Sequence, residues 1–307
     1  MIPFVAIDES KIAPLHPFGI CVAIAFFAWD HVIMKMAVRR GFDRADFRVL
    51  TVWLGVFGWT FAWGVDALFY HPGQTLGSRF TVQGLSSTGA IVGAFFGGVL
   101  WSRLLVRKEK DAATGKERWR LSRRERPAAL LPTTEVVMAT WPLAFALGRL
   151  GCSLIHDHVG AAVAPGSFMS LLAVGFPRSA EDGVHHVYGP LHVITGASDV
   201  RVDLGLLELF VLAPMALGFA LTWKRTLPLG TYTVIASLVY GPIRFALDFL
   251  RLEDGPTGEA RRGGLTFAQY WSLAVIAVGV VLLVQMRRAG RRDQAAAATA
   301  PSAQPAD

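Results

Sequence analysis

Cysteine is nearly absent: the 307-residue chain has only Cys21 and Cys152, too few for a disulfide-stapled scaffold or a cysteine-rich metal site. Charge is scarce as well. Only 17% of residues are charged, against about a quarter in a soluble domain, so an ordinary water-facing exterior is excluded. The stretch Met1–His16 has no basic n-region of the kind that opens a secretory signal, so the first apolar block is expected to stay in place. No repeated block is visible, which argues against the matched halves of many secondary transporters. Acidic residues are outnumbered, 23 against 30 basic, for a net charge of +7. On a soluble protein that surplus would suggest nucleic acid; its placement here gives it another meaning.

What the chain does have is apolar residues, 53% of the total, with a mean hydropathy of +0.43. They are bunched into seven stretches long enough for a hydrocarbon core about 30 Å thick: Pro17–Met36, Leu50–Tyr70, Thr88–Val106, Ala128–Leu147, Leu204–Trp223, Leu229–Leu250 and Thr266–Met286. Lys and Arg gather in alternate connections, 19 on one side against 8 on the other. The positive-inside rule then puts the N-terminus outside and the C-terminus in the cytoplasm. The expectation is an all-α, polytopic membrane protein with seven transmembrane helices. Residues 1–16 form an external segment, 17–286 the membrane domain with an external region at 148–203, and 287–307, short of hydrophobic anchors, a disordered cytoplasmic tail.

An ionisable group in mid-membrane costs about 2.5–3.5 kcal/mol even on insertion scales, so each needs a reason. Arg244, Asp248 and Arg251 are spaced by four and three and share one helical face. Two readings are open: a structural ion pair with a snorkelling terminal arginine, or two guanidiniums, held by one carboxylate, whose rigid forks suit phosphate oxygens. A second cluster runs Gly148-Arg149-Leu150-Gly151-Cys152, then His156-Asp157-His158 and Gly160. The histidines, two apart, are poorly spaced for a shared metal on a helix, so no metal site is expected and hydrogen bonding at the rim is the preferred reading. Gly84-Leu85-Ser86-Ser87-Thr88-Gly89 is a hydroxyl loop at membrane depth, tolerated only where it is buried or lines a polar cavity. Asp66 and Glu208 fall in the same outer half as these groups, and Glu135 lies inside the fourth span.

In order along the chain these blocks resemble the prolipoprotein diacylglyceryl transferase family. Gly148-Arg149-Leu150-Gly151-Cys152, with Asp157 and Gly160, is similar to its Gly-Arg-hydrophobic-Gly-Asn block followed by Glu and Gly. Arg244-Phe245, Asp248-Phe249 and Arg251 resemble its Arg-Phe-x-x-Glu-Phe-x-Arg block, and Leu265-Thr266 with Gln269 and Ser272 its opening of the last span. Gly84 to Gly89 is similar to its Gly-x-Ser-x-His-Gly loop, with Thr88 in place of the His. Cys152 replaces the Asn, aspartates replace both motif glutamates, and Leu207-Glu208 replaces a Tyr-Glu pair.

The resemblance implies an enzyme of the bacterial inner membrane, its site facing the outer leaflet. It would move the diacylglyceryl group of phosphatidylglycerol to the lipobox cysteine thiol of precursor lipoproteins, releasing glycerol phosphate, with no cofactor. It implies catalytic roles for Arg149, Arg244 and Asp157. Arg251, Asp248, Glu208, Ser86, Thr88, Gly151 and Cys152 would bind substrate. Its partners would be phosphatidylglycerol, precursor lipoproteins and membrane lipids, not nucleic acid. The competing reading is a catalytically weakened relative that keeps the phospholipid pocket as an accessory protein. A small-anion or lipid transporter is disfavoured by the missing repeat and the one-sided charge. If the loop alignment is right, Thr88→His keeps or raises transferase activity measured in membranes, and a collapse of activity would sink that alignment.

Overall fold

A computed structural model describes residues 1–8, 12–69, 84–110, 116–164, 166–253 and 261–299. Seven helices dominate: α1 (Pro17–Arg39), α2 (Arg44–Phe69), α3 (Ser87–Arg103), α4 (Leu130–Ile155), α5 (Leu204–Thr222), α6 (Thr231–Leu250) and α7 (Phe267–Thr299). Six of them, all but α3, are long and apolar enough to cross a membrane. The third, with 17 residues, is about 25 Å long, short of a full hydrocarbon core. Many large apolar side chains on the helices face outward, among them Phe26, Phe27, Trp59, Phe95, Leu217 and Val281, as lipid contact requires. Tyr70, expected to close the second span, lies outside the described residues.

The expectation of a purely α protein needs correction. Among the described residues, eight strands form three small sheets outside the helices. One is a hairpin of β2 (Leu104–Lys110) and β3 (Glu117–Arg123). The others have the orders β1-β7-β6 and β4-β8-β5, built from β1 (Phe4–Ile7), β4 (Val159–Ala162), β5 (Val174–Phe176), β6 (Val184–Tyr188), β7 (Leu191–Thr195) and β8 (Asp199–Asp203). These strands are three to seven residues long, and their alternation is drowned by the longer helical blocks around them. Four helices also outrun the expected spans, α1 and α2 by a turn or two at their facing ends and α4 and α7 by more. The α4 helix continues past Leu147 to Ile155, so the first part of the region taken as external is helical and buried. The backbone of α7 continues past Met286 to Thr299, through an Ala-rich stretch of high helix propensity, while 300–307 lie outside the described residues.

Helix ends carry specific caps. Ser86 Oγ accepts from Gly89 N at 3.1 Å to start α3, and Asp203 Oδ1 accepts from Leu206 N at 3.0 Å to start α5. Thr266 and Gln269 satisfy each other's backbone N–H at 3.1 and 3.0 Å to start α7, a capping box. The α6 helix begins after Gly230 with no cap of its own. Glu135, reaching from α4, accepts from Tyr232 N at 2.8 Å and Thr233 N at 3.0 Å. That accounts for one buried acid as helix capping.

The tightest helix pair is α2 with α3, and small residues decide it. Gly89, Gly93 and Gly97 repeat every four residues, so they line one face. A methyl group at Gly89 would sit 2.5 Å from Phe61 O, one at Gly97 2.8 Å from Trp53 O, and one at Gly93 against Phe57 O. The backbones therefore touch, the small-residue packing that holds helices together where lipid removes the hydrophobic drive. The apolar core, including Ile33, Phe47, Leu50, Trp101, Val136, Leu212 and Tyr232, fills the half of the bundle nearer the β2–β3 hairpin. In the other half polar side chains take over. Gly93→Leu is expected to split α2 from α3 and to lower stability by about 1–3 kcal/mol or more, whereas Gly55→Ala, with nothing within 4 Å, leaves it unchanged. Thermal unfolding in detergent by intrinsic fluorescence distinguishes the two.

Candidate active site

The end of α4 and the start of α5 are joined by one antiparallel strand pair. Val159 of β4 lies opposite Asp203 of β8, and Leu204 N donates to His158 O at 3.0 Å. This pairing sets the height of Arg149 on α4 against Glu208 on α5. Arg149 Nε and Nη2 donate to the two Glu208 oxygens at 3.0 and 3.1 Å, a bidentate pair in which both residues are buried. The guanidinium stacks 5.1 Å from the Phe145 ring centre. Its Nη2 lies 3.3 Å from Ser87 Oγ, and its Nη1 lies 3.2 Å from His158 Nε2 and 3.7 Å from Cys152 Sγ.

Glu208 has two further partners, both from α6. Tyr240 donates its hydroxyl at 2.7 Å, and Arg244 Nε lies 3.7 Å away. Tyr240 closes a π-helical turn, Ala236–Tyr240. Pro242 has no N–H to continue the α-helical ladder back to Leu238, which accounts for the widened turn. Arg244 also pairs with Asp248, and Arg251 Nε reaches the same carboxylate at 3.3 Å. The other Asp248 oxygen accepts from Thr266 of the α7 capping box. A continuous buried array thus runs from α4 through α5 and α6 to α7, with Arg149, Arg244 and Arg251 on Glu208 and Asp248.

Most residues singled out from the sequence meet here, with some exchange of roles. Asp157 does not touch Arg149 directly but holds His158 Nδ1, and the other ring nitrogen faces Arg149. Burial holds the His158 imidazole below its ordinary pKa despite the Asp157 hydrogen bond. Ser86 is committed to capping α3, and its neighbour Ser87, passed over in the sequence, points to Arg149. Thr88 is buried in the first turn of α3. Gly151 serves packing: a methyl group there would meet Cys21 Cβ at 2.9 Å. Gly160 lets β4 approach Leu250 O and bridge Arg251. Asp66 lies against Gly84, at the start of the loop.

His156 turns out to be structural. It ends α4 in a left-handed conformation with φ 50°, and its ring nitrogens sit 2.6 Å from Asp203 Oδ2 and 3.0 Å from Val5 O. Tyr240 is the residue that sequence reading missed outright; its position four before Arg244 was the available signal. The donors Cys152, Asp157 and His158 lie within 4.8 Å of one another. They do not fit a cation, because the Arg149 guanidinium already sits against two of them.

The family model for prolipoprotein diacylglyceryl transferase matches residues 117–285, more than half of the chain. The chain belongs to that family. Curated relatives named phosphatidylglycerol--prolipoprotein diacylglyceryl transferase are similar in part. The protein of Xanthomonas euvesicatoria pv. vesicatoria (strain 85-10) is 40% identical over 74 residues, 23% of this chain and 25% of its own length. That of Paraburkholderia xenovorans (strain LB400) is 28% identical over 193 residues, 57% and 61% of the two chains. The chain therefore spans between a quarter and about three fifths of these relatives. The family match takes in Arg149, Glu208, Tyr240, Arg244 and Asp248, while the loop from Gly84 to Gly89 lies ahead of it.

Removing one member of a buried charge pair leaves its partner uncompensated, which costs about 3–5 kcal/mol. Glu208→Ala, which strands Arg149 and leaves Arg244 on Asp248 alone, is therefore expected to lower stability by about that much, and Tyr240→Phe by only about 1 kcal/mol. Thermal unfolding in detergent measures both, and equal small effects would contradict the buried array.

Proposed function

We propose that the protein transfers the diacylglyceryl group of phosphatidylglycerol to a cysteine thiol of a precursor lipoprotein. The supporting observation is the buried array of Arg149, Arg244 and Arg251 at one end of the bundle, in a chain of the transferase family. The reaction forms a carbon–sulfur bond at the terminal glycerol carbon and breaks the bond from that carbon to a phosphate oxygen. Glycerol phosphate leaves with the bonding pair. Fixed guanidiniums at that phosphate stabilise the charge as it develops, without reorganising during the step. Arg149 and Arg244 take that role, Glu208 and Asp248 hold their planes, and Arg251 and Ser87 complete the head-group side.

The thiol must lose a proton to become nucleophilic. His158 is the group placed for it: Nδ1 is held by Asp157, and Nε2 stands beside Arg149. Its depressed pKa keeps the imidazole neutral at pH 7 and able to accept a proton. The proton it takes passes to the departing phosphate or to water. In this reading seven helices, α3 included, cross the inner membrane with the N-terminus outside, and the array faces the outer leaflet, where phosphatidylglycerol and lipobox precursors meet. An accessory, phospholipid-binding role is the second reading. It is favoured by the carboxylates already occupying the arginines and by Thr88 where the resemblance would have a His.

An assay with phosphatidylglycerol and a lipobox peptide tests the first reading, with Arg149→Ala and Arg244→Ala expected to lower turnover by 100-fold or more, on the order of what a lost transition-state donor costs. No turnover by the unmutated protein, with phosphatidylglycerol still bound, would favour the accessory role. Because the His158 pKa is depressed, the acid limb of kcat/KM should fall below the ordinary histidine value of about 6.5. His158→Gln should remove that limb and lower kcat. An unchanged profile would exclude His158 as the base.

A further inference from the structure

At the far end of the bundle from the arginine array, where α3 runs into the β2–β3 hairpin, lies a half-open cleft of about 390 Å³ lined by Arg103, Arg123, Arg124, Glu125 and Pro127. Its floor is rigid. Arg124 donates from Nε to Trp101 O and Leu104 O at 3.1 and 3.0 Å, pairs with Asp46 at 2.6 Å, and stacks 4.7 Å from the Trp101 ring centre. Arg103 and Arg123 are exposed and have no ion-pair partner among the described residues. After Asp46 answers Arg124, two arginines against Glu125 leave the cleft positive.

The adjoining hairpin is two-faced. In its register Leu104 lies opposite Arg123, Val106 opposite Leu121, and Lys108 opposite Trp119, and directly opposed residues share a face. One face therefore carries Leu104, Val106, Leu121 and Trp119 with basic residues at its edges, while Leu105, Arg107, Glu109, Arg118, Arg120 and Ser122 share the other. Trp119 is 66% and Leu121 61% exposed, and Lys108 Nζ sits 5.3 Å from the Trp119 ring. Apolar and aromatic groups beside cations suit the head-group layer of a bilayer. The hairpin leaves the end of α3 and returns to the start of α4, so its base is at membrane-surface depth.

We infer that this cleft and hairpin face form a second phospholipid site, in which Arg103 and Arg123 hold the phosphate of an anionic lipid while Trp119 and Leu121 insert beside its glycerol and upper acyl chains. The site lies at the opposite end of the bundle from Arg149 and does not depend on the transferase reading. It needs only that the helices lie in a membrane.

Hydrogen–deuterium exchange on the full chain in nanodiscs tests it. Amides of 117–123 should exchange about fivefold more slowly in discs doped with dioleoylphosphatidylglycerol than in pure phosphatidylcholine, the effect of about one basic side chain at an anionic surface. The difference should vanish in R103Q/R123Q, shrink in Trp119→Ser, and persist in R107Q/R120Q, which removes the same charge from the other face. Unfolding midpoints confirm that the variants are folded, and should R103Q/R123Q not fold, Trp119→Ser decides alone. Equal exchange in both lipids, an equal loss in R107Q/R120Q, or the same protection from inorganic phosphate in phosphatidylcholine discs would each overturn the proposal. Loss of transferase turnover with the lipid difference intact would count against the transferase reading alone.

Discussion

The bidentate pair of Arg149 and Glu208 is the interaction on which the polar half of the bundle is built. A guanidinium in this position has lost its water and must recover its hydrogen bonds from protein. Glu208 supplies two, and Ser87, His158, Cys152 and the Phe145 face surround the rest. Ser87, His158 and Glu208 come from different places in the chain, so satisfying one arginine fixes the start of α3, the turn after α4 and the start of α5. Tyr240 and Arg244 extend the same constraint to α6, and Asp248 with Thr266 extends it to α7.

Such an array suits chemistry at a phosphodiester. Positive charge that must be present when a phosphate departs is most effective when already oriented, and guanidiniums pinned by carboxylates in a water-poor site meet that condition. The carboxylates also keep the arginines tolerable in a buried place, because an unpaired buried charge costs several kcal/mol. A phosphate arriving at the array would have to share the arginines with Glu208 and Asp248. Stability and readiness are thus set by one group of contacts.

The two ends of the bundle differ in kind. At the hairpin end apolar residues are packed densely, and the helices are anchored by Trp101, Arg124 and Asp46. At the other end packing yields to hydrogen-bonded polar groups, and tight turns, caps and glycines replace bulk. Gly84 gives room to Asp66, and Gly160 to the Leu250 carbonyl. These glycines are close-approach points between elements, a stronger constraint than local backbone freedom.

Much of this was legible in one dimension. Apolar blocks of the right length located the helices, because a hydrocarbon core demands about twenty such residues whatever the fold. Glu208, Arg244 and Asp248 stood out because a charge inside such a block needs a reason, and Arg149 because two glycines bracket it at the end of one. The short strands were illegible, since their period is lost among longer helical signals, and so was the continuation of α4 through Arg149 to Ile155. Partner choice was hidden altogether. Spacing linked Arg244 to Asp248, but only the β4–β8 pairing brings Glu208 to Arg149, 59 positions away, and only the π turn beside Pro242 brings Tyr240 to Glu208. Sequence by itself determined which segments are apolar enough to enter a membrane and which of their residues carry charge, because transfer from water to lipid is a property of each segment. The tertiary structure decided which charges neutralise one another, separating Asp157 and His158 beside Arg149 from His156 on Asp203, because ion pairing depends on distances that the chain sets only when it folds.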